Sequence, residues 1–102
     1  MKEIQLNGTS HKIRFNFNAL KAFKVLNGGD GLNFEGLDPL TVVDLCFVGI
    51  QEGARIDARD NNRENDFKLT IEDVGEHMTT ALITEVMTIL TEDLNPEDSG
   101  KK

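Results

Sequence analysis

The first 28 residues encode a β-hairpin that runs directly into a helix, and this feature limits the fold more than any other. Two short runs alternate apolar with polar residues, as half-buried strands do. The apolar members of these runs are Ile4, Leu6, Ile13, Phe15 and Phe17. Between the runs lies Asn7-Gly8, a pair that readily adopts the positive φ angles of a type I′ turn. The sequence therefore predicts a hairpin over residues 2–17.

After the hairpin the apolar spacing changes, which predicts a first helix over about residues 18–26. The residues that recur at helical spacing are Phe17, Leu20, Phe23 and Leu26. Either Asn16 or Asn18 can cap the start of this helix, and Gly28 has the residue type of a helix stop. Because a two-stranded sheet is not stable alone, helices must cover its apolar face.

A second helix is predicted over residues 39–52, after a glycine-rich turn between Asn27 and Asp38. Asp38-Pro39 has the residue types of an N-cap and a first helical position. Apolar residues occupy several sides of this helix, which indicates that it lies at the centre of the domain. Residues 53–68 are almost entirely polar and predict a long loop.

Two further helices are predicted over residues 70–78 and 80–94. Thr70 and Asp73 form a capping signature at the start of the first of them. Thr79-Thr80 offers a cap for the second. The sequence leaves open whether the two form one continuous helix.

Together these elements predict one α+β domain over residues 1–95, with an N-terminal hairpin followed by about four helices. Residues 96–102 follow as a polar tail that we expect to be disordered. At 102 residues and 38% hydrophobic content, the chain can build only a modest core. Help from a partner is compatible with this composition.

The charge is unevenly spread and limits the classes of partner. The net charge is -7, yet residues 1–25 hold five basic residues and one acid. An acidic chain without clustered basic residues is not expected to bind nucleic acid. No apolar run approaches the roughly 20 residues of a membrane span. Cys46 lies alone in an apolar run, which favours a buried thiol in a reducing compartment.

Residue patterns that would support chemistry are incomplete, so we expect neither an enzyme nor a cofactor or metal site. Asp60, Asn62 and Glu64 alternate as in a calcium-binding loop. However, Asn65 stands where such a loop needs glycine, and Ile71 stands where it needs a bidentate Glu. The histidines, His11 and His77, have no further ligands at metal-binding spacing.

The last predicted helix carries a wide apolar stripe that allows two interpretations. In the first, Leu82, Val86, Ile89 and Leu90 form part of a surface that docks against another chain. In the second, the stripe is core, as helix stripes usually are. The sequence alone does not decide between them.

The hairpin followed by Phe-Asn-Phe-Asn-Ala-Leu at residues 15–20, and then by an acidic helical body, resembles the tail assembly chaperones of long-tailed, non-contractile bacteriophages. The resemblance covers nearly the whole chain. From this motif we carry over Phe15, Phe17 and Leu20, as structural residues. The polar loop predicted over residues 53–68 departs from the family pattern, so no partner site is carried over there.

The resemblance implies a protein that binds the tape measure protein, keeps it soluble and helps to recruit tail tube subunits. It implies a location in the host bacterial cytoplasm and absence from the mature virion, and it leaves self-association open. Two other classes compete with this expectation. One is a structural connector or minor tail component of the phage particle, and the other is an acidic regulator that binds a basic host protein.

Overall fold

The computed structural model of the chain describes residues 1–26 and 38–94. In these residues it contains a two-stranded antiparallel sheet and four helices, which confirms the predicted α+β class. The elements are β1 (Lys2–Leu6), β2 (Thr9–Ile13), α1 (Phe17–Leu26), α2 (Pro39–Asp60), α3 (Ile71–His77) and α4 (Thr80–Leu94). The predicted Gly28 stop, most of the glycine-rich turn and the polar tail over residues 96–102 lie outside the described residues.

The hairpin turns at Asn7-Gly8, as predicted. Both residues have positive φ angles, 52° and 78°, which a type I′ turn requires. The register pairs Leu6 with Thr9 at the turn and Lys2 with Ile13 at the open end. The apolar side chains of the two strands are buried on one face of the sheet.

Residues 14–16 leave the sheet and cross to α1, which corrects the predicted strand end. The Arg14 N–H donates to the carbonyl of Gly49 at 3.0 Å. The Phe15 N–H donates to the carboxylate of Asp93 at 2.9 Å. Acceptors on α2 and α4, and not a neighbouring strand, satisfy these two N–H groups. The strand therefore ends before the alternation of apolar residues does.

The central element is α2, which contacts β2, α1, α3 and α4. Asp38 caps it by accepting a 2.9 Å hydrogen bond from the Leu40 N–H, and Pro39 follows as the first helical residue, as predicted. The predicted end at residue 52 is wrong, because α2 continues to Asp60. Part of the predicted polar loop is therefore helical.

Two glycines on α2 lie where the hairpin and its extension approach the helix backbone. A Cβ on Gly53 would lie 2.5 Å from the carbonyl oxygen of Lys12, and a Cβ on Gly49 would lie 2.7 Å from the ring of Phe15. Both glycines thus allow the hairpin and its extension to approach the helix backbone. Beyond Gly53 the buried face continues through Ile56 and Ala58, with charged residues between them. The polar composition therefore belongs to a partly exposed helix.

The last two helices are separate, which answers the question that the sequence left open. Thr70 and Asp73 form the predicted capping box through two hydrogen bonds of 3.1 Å. Met78 is extended and ends α3. The Thr79 hydroxyl then accepts a 3.1 Å hydrogen bond from the Leu82 N–H and caps α4.

The core lies between the hairpin and the four helices. Each element contributes at least one buried apolar side chain. The largest fully buried residues are Ile4, Ile13, Phe15, Val42, Leu45, Cys46, Val48, Ile50, Val74 and Val86. Half-buried Phe67, from the segment after α2, packs on Phe47 with ring centroids 5.8 Å apart.

Candidate interaction surface

The outer side of α1 combines exposed apolar and basic side chains. Phe17, Lys21 and Val25 follow one another at intervals of one turn, with Lys24 beside them. Phe17 is 83% exposed and Val25 is 75% exposed, and both lysines are exposed as well. We call these four residues the α1 face. Large apolar side chains that are exposed on a helix among basic residues can contribute to an interaction surface.

The exposure of Phe17 corrects the expectation that it is a structural residue. Phe15 and Leu20, the other residues carried over from the motif, are buried as predicted. The apolar spacing of three misled the sequence interpretation, because each step of three residues turns a helix by about 300°. The residues from Phe17 to Leu26 therefore spread over about half of the helix circumference. Only Leu20 and Phe23 of this series are buried.

A buried carboxylate on α2, that of Glu52, holds the start of α1 in place. Its side chain is only 7% exposed. It accepts hydrogen bonds from the side-chain amides of Asn16 at 2.8 Å and Asn18 at 3.3 Å. Arg55 donates two more, at 2.7 and 2.8 Å. Asn16 also caps α1 through a 3.0 Å hydrogen bond from the Ala19 N–H, so one cluster fixes both the cap and the orientation of the helix.

The hydrogen bonds of this cluster keep Glu52 ionised. Those from Arg55 have the largest effect and, with those from Asn16 and Asn18, lower the pKa of Glu52 to about 2 although burial acts in the opposite direction. A carboxylate with this pKa stays ionised near neutral pH, and its hydrogen bonds to Asn16 and Asn18 hold the start of α1. The sequence analysis missed Glu52; the signal was an acidic and a basic residue at i, i+3 spacing.

The α4 residues predicted to bind a partner belong to the core in this structure. Val86, Ile89 and Leu90 are buried, and Leu82 is half-buried. The prediction that they form an exposed docking surface is therefore wrong, and the alternative interpretation as core applies. The physical reason is that α4 packs against both α2 and β1, which together cover the wide apolar side of the helix.

A row of threonines runs along the outer side of α4, with apolar residues on one side of the row and acidic residues on the other. The hydroxyls of Thr84, Thr88 and Thr91 donate to carbonyls four residues earlier in the same helix, at 3.0–3.4 Å. Half-buried apolar side chains lie on one flank of the row and exposed carboxylates on the other. We call the resulting surface the α4 face; it comprises Ile83, Thr84, Glu85, Met87, Thr88 and Glu92.

The end of α4 reaches the segment that leads into α1. There the Asp93 carboxylate binds the Phe15 N–H and also accepts a 3.1 Å hydrogen bond from the Lys2 ammonium. A shallow, open depression lies at this junction. Its lining includes Arg14, Phe17, Asn18, Asp93 and Leu94. The exposed Arg14 thus adds a third basic side chain next to the α1 face.

Titratable groups elsewhere do not assemble into a metal cluster within residues 1–26 and 38–94. His11 and His77 line one groove with Asp73, and burial lowers the pKa of His11. Asp60, from the calcium-like pattern, pairs with Arg59 at 3.1 Å. Cys46 is buried, as expected, and burial raises the pKa of its thiol to about 12. Such a thiol stays protonated and unreactive at neutral pH.

Within the described parts of the chain, no helix combines the length and the apolar character needed to cross a lipid bilayer. Comparisons with models of protein families, with curated proteins and with solved structures found no match.

Proposed function

We propose that the chain is a non-enzymatic binding protein that acts as a phage tail assembly chaperone for the tape measure protein. The α1 face carries this proposal, because it exposes Phe17 and Val25 on a helix that is anchored to the core. The hairpin and the motif at residues 15–20 provide the resemblance that names the partner. In this role the chain keeps the tape measure protein soluble in the host cytoplasm, helps to recruit tail tube subunits and does not enter the mature virion.

The α1 face has the properties that a reversible helix-binding surface needs. Phe17 offers a large apolar area with few rotatable bonds, so that little side-chain entropy is lost on contact. Val25 extends the apolar row by two turns. A long helical protein that has not yet assembled exposes apolar stripes, and one such stripe can lie along this row. A small apolar surface favours reversible binding.

The anchoring of α1 supports the same proposal. Since Glu52 fixes Asn16 and Asn18 at the start of the helix, the face is already formed before a partner arrives. Binding to a formed surface avoids the entropy cost of ordering a segment. This distinguishes the α1 face from an apolar patch on a flexible tail.

Co-expression with the tape measure protein tests the proposal. We expect the tape measure protein to be soluble and to co-purify with the wild-type chain, and to become mostly insoluble when it is expressed with the Phe17→Ser variant. Leu40→Ser is the matched control, because Leu40 is 78% exposed but lies at the start of α2, outside the α1 face. Circular dichroism of both variants checks that each is folded.

Two results would contradict the proposal. If the tape measure protein is equally insoluble with and without the wild-type chain, the chaperone function is wrong. If Phe17→Ser and Leu40→Ser behave alike, the α1 face is not the binding surface. Detection of the chain in purified virions would favour the structural-component alternative, and capture of a basic host protein would favour the regulator.

A further inference from the structure

We propose that the α1 face recognises an amphipathic helix that carries acidic residues within its apolar stripe. The inference rests on the proposed function, because both use the α1 face as the binding surface, and it adds the chemistry of the partner segment. Three properties of the chain lead to it: the ion pairing of its basic residues, the spacing along α1 and the hydrogen bonding of the α1 backbone.

The basic residues around α1 differ in their pairing from those of the hairpin and of α2. Lys2 and Lys12, on the two strands, pair with carboxylates at 3.1 and 2.6 Å. The three arginines between residues 55 and 63 also pair with acids. The lysines and arginines that form no ion pair with another described residue are Lys68 and, around α1, Arg14, Lys21 and Lys24. The three around α1 are exposed, so they can meet acids of another molecule.

This basic group lies on an acidic chain, which limits the size of the negative surface that it can bind. The net charge is -7, yet residues 4–29 contain no Asp or Glu. Charges more than about 8 Å apart are largely screened at physiological ionic strength, so a narrow partner interacts mainly with the local cations. A helix is only about 10–12 Å across. A nucleic acid duplex or an anionic membrane is much wider, and the acids elsewhere on the chain would repel it.

The spacing along α1 matches the repeat of a partner helix. Phe17, Lys21 and Val25 are each one turn apart and form a row about 12 Å long. A helix packed along this row would place apolar residues opposite Phe17 and Val25 and an acidic residue opposite Lys21. The partner sequence should therefore contain apolar residues two turns apart with Asp or Glu between them.

The backbone of α1 favours a helical partner over an extended one. Within the helix the backbone N–H and C=O groups bind one another, so the α1 face presents only side chains. An extended segment would bury its own N–H and C=O groups on this face without partners, which is costly. A partner helix has already satisfied its backbone and avoids this cost.

Stapled helical peptides of about 20 residues test the inference without the tape measure protein. Three peptides share one apolar stripe and a staple on the opposite side, and the residues within and beside the stripe are all Glu, all Gln or all Lys. Fluorescence anisotropy with the purified full-length chain gives the Kd of each peptide. We expect the Glu peptide to bind at least about tenfold more tightly than the Gln peptide, the Lys peptide to bind most weakly, and these differences to shrink at high salt.

Charge reversal on α1 provides the decisive measurement. The double variant Lys21→Glu, Lys24→Glu should bind the Lys peptide more tightly than the Glu peptide, because the face is then acidic. The single variant Lys21→Glu should weaken binding of the Glu peptide severalfold. Lys68→Glu is its matched control, because it changes the net charge by the same amount at an exposed lysine outside the α1 face, and it should leave the Kd unchanged.

Four results would overturn the inference. They are equal binding of the three peptides, equal binding of a Glu peptide whose apolar stripe is scrambled, a double variant that is folded by circular dichroism but keeps the wild-type preference, and binding to vesicles of anionic lipid without binding of the Glu peptide.

The peptide measurements and the co-expression experiment fail separately. If the tape measure protein co-purifies through Phe17 but the peptides show no charge preference, the chaperone function stands and this inference is wrong. If the Glu peptide binds as expected but the tape measure protein stays insoluble, the α1 face binds an acidic helix and the chaperone function is wrong.

Discussion

The Glu52 carboxylate on α2 fixes the orientation of α1 and therefore determines which residues of α1 are exposed. Its four hydrogen-bond donors come from Asn16 and Asn18 at the start of α1 and from Arg55 on α2 itself. A buried carboxylate is costly unless it is well paired, and here the pairing also fixes a helix cap. The orientation of α1, and with it the exposure of Phe17, therefore depends on an acidic residue outside the α1 face.

Replacing Glu52 with Gln should destabilise the chain in a pH-dependent manner. The pKa of Glu52 is lower in the folded chain, about 2, than its ordinary value of 4.5. Ionised Glu52 therefore stabilises the fold above about pH 4.5, and this contribution is lost as the pH falls towards 2. We expect a loss of about 2 kcal/mol at pH 7 for Glu52→Gln, with allowance for the partly exposed Arg55.

Urea unfolding of both proteins at pH 7 and pH 3 measures this effect. The difference between wild type and variant should shrink by roughly half or more at pH 3. A difference that is the same at both pH values would mean that the shape of the side chain, and not its charge, is what α1 requires.

At the scale of elements, α2 is the central helix, and most of the other elements pack against it. Its two buried glycines, one turn apart, face β2 and the segment that follows it. At Gly53 the near neighbour is backbone, which cannot move aside as a side chain can. Glycine normally weakens a helix interior by roughly 0.5–1 kcal/mol, so its presence here is explained by the close approach of the hairpin.

Gly53→Ala should destabilise the chain, whereas Gly75→Ala should not. The first places a methyl group 2.5 Å from the Lys12 carbonyl, and we expect it to destabilise the chain by about 1–3 kcal/mol. The second adds a methyl group on α3 with its nearest neighbour, Val43, 3.7 Å away, and should be neutral or stabilise by up to about 1 kcal/mol. Thermal melts of the two variants make the comparison; equal destabilisation would show that the hairpin does not constrain α2.

Some elements of the fold depend only on residues that are close together in the sequence, and these could be predicted from it. The Asn7-Gly8 turn, the Asp38 cap and the Thr70 capping box each depend on residues within a few positions, and all three were predicted. The second half of α2 was missed because its stability comes from distant contacts of Gly53 and Ile56, which its polar composition does not reveal.

The candidate surface was harder to predict than the fold, because exposure depends on which side of a helix its neighbours cover. Val86 and Phe17 both appear in apolar patterns, yet one is buried and the other is exposed. The difference arises because α2 and β1 cover the apolar side of α4, whereas α1 is covered by α2 on a side that excludes Phe17.

At the scale of the whole molecule, Asp93 joins the two ends of the described chain. Its side chain is 8% exposed and binds both the Phe15 N–H and the Lys2 ammonium, which come from the N-terminal region. Glu92 next to it makes only a looser contact of 3.6 Å with Lys2 and is about half exposed. Two adjacent acids thus differ sharply in structural importance.

Asp93→Ala should destabilise the chain by about 1–3 kcal/mol, because it leaves the Phe15 N–H without its acceptor. Glu92→Ala is the matched control and should change stability by less than about 1 kcal/mol, as is usual for surface ion pairs. For a domain of this size, a loss of 1 kcal/mol corresponds to a fall of roughly 4–8 °C in Tm. If the two alanine variants melt at the same temperature, Asp93 does not secure the segment between β2 and α1.

The Asp93 contact also bears on the order in which the chain is made. A ribosome releases the hairpin and α1 first, but the acceptor for Phe15 lies 78 residues further along. Closing so long a loop has an entropic cost that only the completed core repays. During synthesis the start of α1 therefore lacks one of its anchors until α4 has emerged. The surface proposed to bind a partner becomes fully fixed only at the end of translation of the described region, so that a half-made chain does not yet offer the finished site.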